Sequence, residues 1–190
     1  GSYTPSDTPA LPPSATLIEL GGVRLLVDVG MDESSIHSPA IAAQHRLIAD
    51  NLSNIDAVLI CDSSLTSIGA LPLVLSKLNS KGVTPPMVYG TFPTAKMGQM
   101  SLYDFHARCS TDGVSLGWGL DNIDAVFATD RFCAMKYSQT IVLQVDGRNA
   151  VSITPHRSGR YVGAAFWVLR RIQDEAEVVV APHYNHAKER

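Results

Sequence analysis

With 190 residues, 45% of them hydrophobic and 17% charged, the chain is long enough for one sizeable core and short for two. A net charge of −3 leaves no electrostatic footprint for sequence-independent nucleic-acid binding. No apolar run approaches the roughly 18 residues of a membrane span. The three cysteines, Cys61, Cys109 and Cys133, are an odd number without metal-binding spacing, which suits buried thiols in a reducing compartment.

Gly1-Ser2 reads as a tag remnant, and Tyr3 to Ser14 holds four of the eleven prolines among Ser and Thr. Residues 1–14 are therefore expected to be a mobile tail ahead of one domain spanning 15–190. Thr16–Leu20 and Val23–Val29 read as strands joined by a Gly21-Gly22 hairpin turn. Apolar positions at Ile41, Ala42, Leu47, Ile48 and Leu52 predict a helix over 39–52. Asp56–Cys61 reads as a buried strand, Ile68–Leu78 as a helix, and Met87–Tyr89 as a short strand. A helix over Pro93–Arg108 has proline in its first turn, where the missing N–H costs little. Asp121 is expected to cap a helix through Phe127. Four strands complete the chain, Lys136–Val145, Asn149–Thr154, Tyr161–Ile172 and Val178–Ala181, with Asp146-Gly147 as a hairpin signal. Strands with crossover helices first and hairpins afterwards place the chain in the α/β class.

The most informative stretch is Cys61 to Pro72, CDSSLTSIGALP, between the strand ending at Ile60 and the next helix. This strand–loop–helix wording resembles the metallo-β-lactamase superfamily, and within it the β-CASP branch that processes RNA 3′ ends. Active members carry His-x-His-x-Asp-His there, ahead of an apolar residue and Gly-Ala-Leu-Pro. On this chain those four ligand positions fall on Asp62, Ser64, Thr66 and Ser67. Zinc takes imidazole, thiolate or carboxylate, and a catalytic site needs at least three such ligands and an open position. Hydroxyls are poor donors for it. Two further ligand positions carry over: a loop histidine, where Ser158-Gly159-Arg160 places Arg160, and a bridging aspartate, which falls on His183. Asp28, in Leu25-Leu26-Val27-Asp28-Val29-Gly30, is retained. In the family that residue orients the loop and does not usually bind metal.

The run Thr91 to Asp104, with Lys96-Met97-Gly98-Gln99-Met100 and Tyr103-Asp104, is similar to one subfamily. These are the large non-catalytic β-CASP subunits of the cleavage and polyadenylation specificity factor. Asp121 to Phe127, Lys136 to Gln139 and Ser152 to Pro155 follow in the same order, so the resemblance covers roughly 14–189. It implies the N-terminal half of an αββα sandwich without the β-CASP insertion, with apolar sheet surface or a strand edge left for the other half to cover. It also implies a pseudo-enzyme with no cofactor, paired in the nucleus with a catalytic β-CASP endonuclease subunit and other cleavage and polyadenylation factors, RNA being reached through the complex.

Two other functions compete with the scaffold. One is a working zinc hydrolase or RNA endonuclease with ligands recruited from Asp28, Asp62, His156 and His183; the other is the related non-catalytic subunit of a complex that trims small nuclear RNAs, which the Lys-Met-Gly-Gln-Met helix argues against. His183 and His186 sit three apart, which on a strand puts them on opposite faces. Both are expected to be partly exposed and unliganded, as are His37, His45 and His106. His156, near the Arg160 loop, is the best remaining candidate for a polar role. Trp118 and Trp167 read as packing residues, and Asp28 as a cap for loop amides. Arg160 is expected within hydrogen-bonding reach of Asp62 or Asp28, its guanidinium replacing a metal's charge.

Overall fold

The computed structural model describes residues 14–32 and 54–185; the helix expected over 39–52, His37, His45 and His186 lie outside them. Strands β1 (Thr16–Leu20) and β2 (Val23–Val27) form an antiparallel hairpin whose turn glycines, Gly21 and Gly22, have φ of 56° and 81°. Two successive positive φ values give the primed turn whose twist matches its strands, and glycine adopts them without a Cβ clash. To this hairpin β3 (Ala57–Leu59), β4 (Met87–Thr91) and β5 (Phe132–Met135) add in parallel, in the order β1-β2-β3-β4-β5. Parallel neighbours require crossovers. Helices α1 (Leu65–Ile68) and α2 (Leu71–Ser80) connect β3 to β4, and α3 (Phe92–Thr111) and α4 (Leu120–Phe127) connect β4 to β5. A second sheet, β6 (Ile141–Val145), β7 (Arg148–Arg157), β8 (Ala165–Arg171) and β9 (Glu177–Val180), is an antiparallel meander.

Side-chain alternation along the strands decides which layer each residue joins. Leu26, Val58 and Val88 point to the helices and pack with Leu71, Val74, Leu102 and Phe105. Leu25, Val27, Ala57, Leu59 and Tyr89 point the other way and meet Val151, Ile153, Trp167 and Leu169 of the second sheet. Because the first sheet is covered on both faces, its strands read as unbroken apolar runs. Full burial of one such leucine or valine contributes about 1.5–3 kcal/mol. The layers therefore run helix, sheet, sheet, and both sheets of the sandwich are present. The outer face of the second sheet carries Val142 and Val179, 41% and 61% exposed, with no helix against it among the described residues.

Four local expectations are corrected. The strand expected over Lys136–Val145 starts only at Ile141, as β6, and it is preceded by β5 (Phe132–Met135), a strand in the other sheet that was not expected. A turn at 136–140 separates them, with Ser138 at φ 61° and its amide donating to Pro155 O. Apolar residues continue on both sides of that turn, so the pattern carries no mark of the change of sheet. The helix expected over Ile68–Leu78 is α1 followed by α2, because the Ala70 amide bonds back to Val29 O at 2.9 Å instead of continuing α1. Gly119, not Asp121, is the N-cap of α4; its amide donates to Asn122 Oδ1 at 2.9 Å, and Asp121 sits in the first turn, where a negative charge favours the helix dipole. Finally, β8 begins at Ala165, four residues later than expected, after a loop through Gly159 and Gly163.

The segment leaving β2 lies directly on α1. Val29 N–H donates to Ser67 O at 2.7 Å and Met31 N–H to Leu65 O at 2.9 Å. A Cβ on Gly30 would stand 1.8 Å from Thr66 O, an atom held in backbone and unable to yield. Gly30→Ala is therefore expected to destabilise the protein by about 1–3 kcal/mol or more. Gly119→Ala, where nothing lies within 4 Å of the added carbon, should change stability by no more than about 1 kcal/mol. Denaturant titration of both variants checks this, and equal midpoints would contradict the close approach.

Candidate functional site

The ligand positions assigned by the resemblance gather where β2 and β3 end and the two sheets meet. Asp28 follows β2 with φ 61°, a left-handed conformation that Asp tolerates better than most residues. It is fully buried, and its Oδ1 accepts the Cys61 amide at 2.8 Å. Burial, against the hydrogen bonds from Cys61 and with help from the nearby Asp62 charge, pushes the Asp28 carboxyl up to about 7. Next along the chain, the Cys61 carbonyl accepts Ala165 N–H at 2.7 Å, and Ile60 O accepts the indole N–H of Trp167 at 3.3 Å. The start of the loop is thus fixed from both sheets. Burial first, and the Asp28 charge second, push the Cys61 thiol well up, which leaves it an unreactive packing group.

Asp62 is 1% exposed, and its Oδ1 accepts both the amide and the hydroxyl of Ser64. Ser64 Oγ lies 2.8 Å from Thr66 Oγ1. Three of the four ligand positions in this loop therefore form one hydroxyl–carboxylate chain. Ser67 is buried in α1, where its carbonyl fixes Val29 and its hydroxyl has no protein partner. Across the cleft, Arg160 Nη1 stands 3.7 Å from Asp62 Oδ2. This is an ion pair but not a hydrogen bond, so the expected contact is present at longer range than expected, and its partner is Asp62. The other end of the guanidinium donates to Tyr161 Oη at 3.3 Å.

His183 lies in the turn after β9, which ends at Val180, so the strand argument for its direction does not apply. It is half-buried, as expected, and its Nε2 is a buried atom without a hydrogen-bond partner. Burial, then the positive charge of Arg160, lowers its pKa, and Asp62 opposes them. Electrostatically His183 belongs with the Asp62–Arg160 pair. His156 does not converge there. It stacks on its cross-strand neighbour Phe166 at 5.4 Å and 24°, on the face of β7 turned away from the first sheet. His106 packs on Trp118, and Trp167 is fully buried, so both tryptophans are packing residues as expected.

A model of the metallo-beta-lactamase superfamily domain matches residues 17–190. The chain belongs to this superfamily. It is 33% identical over 178 residues to the probable cleavage and polyadenylation specificity factor subunit 2 of Drosophila melanogaster, covering 94% of this chain and 22% of that protein. The endoribonuclease ysh1 of Schizosaccharomyces pombe is 27% identical over 156 residues, covering 82% of this chain and 19% of that protein. The chain thus spans about a fifth of the length of these relatives. Among solved structures it is similar to BJP-1, a subclass B3 metallo-beta-lactamase of Bradyrhizobium japonicum, with a TM-score of 0.50 and 13% identity. That match covers 86% of this chain and 52% of the lactamase and concerns the fold.

Members of the metallo-β-lactamase superfamily hold metal with imidazole and carboxylate at these positions, and the donor set present here does not fit such an ion. Among the described residues no three His, Cys, Asp or Glu side chains are grouped to hold one. A guanidinium at position 160 has donors only and cannot be a ligand. Two further devices position the site without any signal in the motif. Thr91 and Thr94 hydroxyls converge on Gly163 O at 2.6 and 2.9 Å, which fixes the loop carrying Arg160 to the start of α3. A Thr-x-Pro-Thr sequence announces a helix cap, which Thr91 is, through the Thr94 amide at 3.2 Å. It gives no hint of the second partner 72 residues away.

The raised Asp28 carboxyl makes stability pH-dependent. Between its ordinary value of 3.8 and about 7, the unfolded chain is ionised while the folded one keeps the proton. The stabilising contribution is complete below about pH 4 and is lost as pH rises to about 7. Asp28→Asn retains an acceptor for Cys61 and tolerates positive φ, but cannot ionise. The variant should match the parent near pH 4 and exceed it at pH 8 by up to a few kcal/mol. Stability curves at several pH values check this, and a less stable variant at pH 8 would show that the folded state holds the ionised form.

Proposed function

We propose that this domain is a non-catalytic scaffold of the nuclear machinery that cleaves and polyadenylates pre-mRNA 3′ ends, paired with a catalytic β-CASP homologue that keeps the full ligand set. The observation that supports it is chemical. Ser64, Thr66 and Ser67 offer hydroxyls at ligand positions, two of them turned into hydrogen bonds with each other or Asp62. Arg160 brings a permanent positive charge to another. Zinc must hold its water with three protein ligands to lower its pKa to about 7. The likeness to a cleavage and polyadenylation specificity factor subunit over 94% of the chain supports the process, and with it a nuclear location and contact with RNA through the assembled complex.

A second reading, a zinc-dependent hydrolase with rearranged ligands, draws on the likeness to the endoribonuclease ysh1. It would recruit ligands from Asp28, Asp62, His156 and His183, with one or two of them converging within bonding distance. His156 is engaged on Phe166, and one Asp28 oxygen is engaged by Cys61, so the scaffold is favoured. Elemental analysis of the purified protein should find no stoichiometric zinc, and assays on RNA and on phosphodiester substrates should give no turnover. One or two zinc ions per chain, at about 2.0–2.2 Å from nitrogen and oxygen ligands, would overturn the proposal.

A further inference from the structure

We infer that Arg160 is the resident cation of this cleft, the counter-charge that Asp62 uses in place of a metal. The inference rests on the non-catalytic reading and asks what replaces the ion. Asp62 is buried, and a buried carboxylate needs a compensating charge. Its Oδ1 is satisfied by Ser64, whereas Oδ2 has no hydrogen bond and faces Arg160 Nη1 at 3.7 Å. Arg160 Nη1 and His183 Nε2 are likewise buried atoms without hydrogen-bond partners. Arg160 Nη1 and Asp62 Oδ2 therefore face each other from distant segments without a hydrogen bond.

The backbone holds them in that relation. Asn185 N–H donates to Ser158 O at 2.9 Å and its side-chain amide to Gly159 O at 3.3 Å, which ties the His183 turn to the Arg160 loop. Ser158 N–H donates to Ala164 O, and the Thr91 and Thr94 hydroxyls hold Gly163 O. The Cys61 bonds to Asp28 and Ala165 place Asp62 itself.

Arg160→Met, which keeps bulk and removes charge, should lower Tm, and combining it with Asp62→Asn should restore it, since Asn still accepts from Ser64. Should Arg160→Met alone not fold, a folded Met/Asn double variant supports the inference and an unfolded one overturns it. Arg160→Met as stable as the parent, or a Met/Asn double variant no more stable than Met alone, would overturn this inference and leave the scaffold reading standing. Zinc uptake by the parent would overturn the scaffold reading itself.

Discussion

The bond from the Cys61 amide to the Asp28 carboxylate, 2.8 Å long and fully buried, is the reference point for the rest of the cleft. It fixes the end of β3 to the end of β2 at the level where the strands stop pairing. Leu59 O, Ile60 O and Cys61 O then go in turn to Asp28 N–H, the Trp167 indole and Ala165 N–H. The backbone of that short stretch is thus held by Asp28 on one side and by the second sheet on the other. The loop that follows begins from a fixed point and is continued by the Asp62–Ser64–Thr66 hydrogen bonds.

How far this was legible depended on which interactions are local. The hairpins at Gly21-Gly22 and Asp146-Gly147 are written in two residues each, and both form. Apolar strands β2, β3 and β4 were plain because both of their faces are buried. The switch from β5 to β6 was not, since the Ser138 amide anchors the turn on Pro155 O, a partner that no local pattern reveals. The same holds for the site. Register within the Cys61–Pro72 loop located Asp62, Ser64, Thr66 and Ser67, and Asp28 and Arg160 arrived from the family's spacing. His183 was placed by number but not by direction, because a strand was expected where the chain turns. The Thr91–Gly163 latch lies entirely in tertiary contact.

The Lys-Met-Gly-Gln-Met helix, so useful for recognition, turns out to be divided between two tasks. Gly98 allows Ile68 of α1 to approach; a Cβ there would meet its Cδ1 at 2.8 Å. Gln99 and Tyr103 both reach Asp124 of α4, so the motif locks two helices together across the layer. Lys96 lies over the Phe92 ring at 5.8 Å, and Met97 and Met100 are exposed. Half of the motif is thus explained by packing within the domain.

The topology also sets an order of assembly. The second sheet is a meander of neighbours, so its pairings close short loops and lose little chain entropy. In the first sheet β2 meets β3 across 32 residues of sequence, and β4 meets β5 across a longer excursion still. At the cleft the Asp28–Cys61 bond spans 33 residues within the first sheet, and the Trp167–Ile60 bond joins the two sheets across 107. The second rewards the chain only after both sheets exist. The bonds from Trp167 and Ala165 to Ile60 and Cys61 therefore close the cleft only once the two sheets have met.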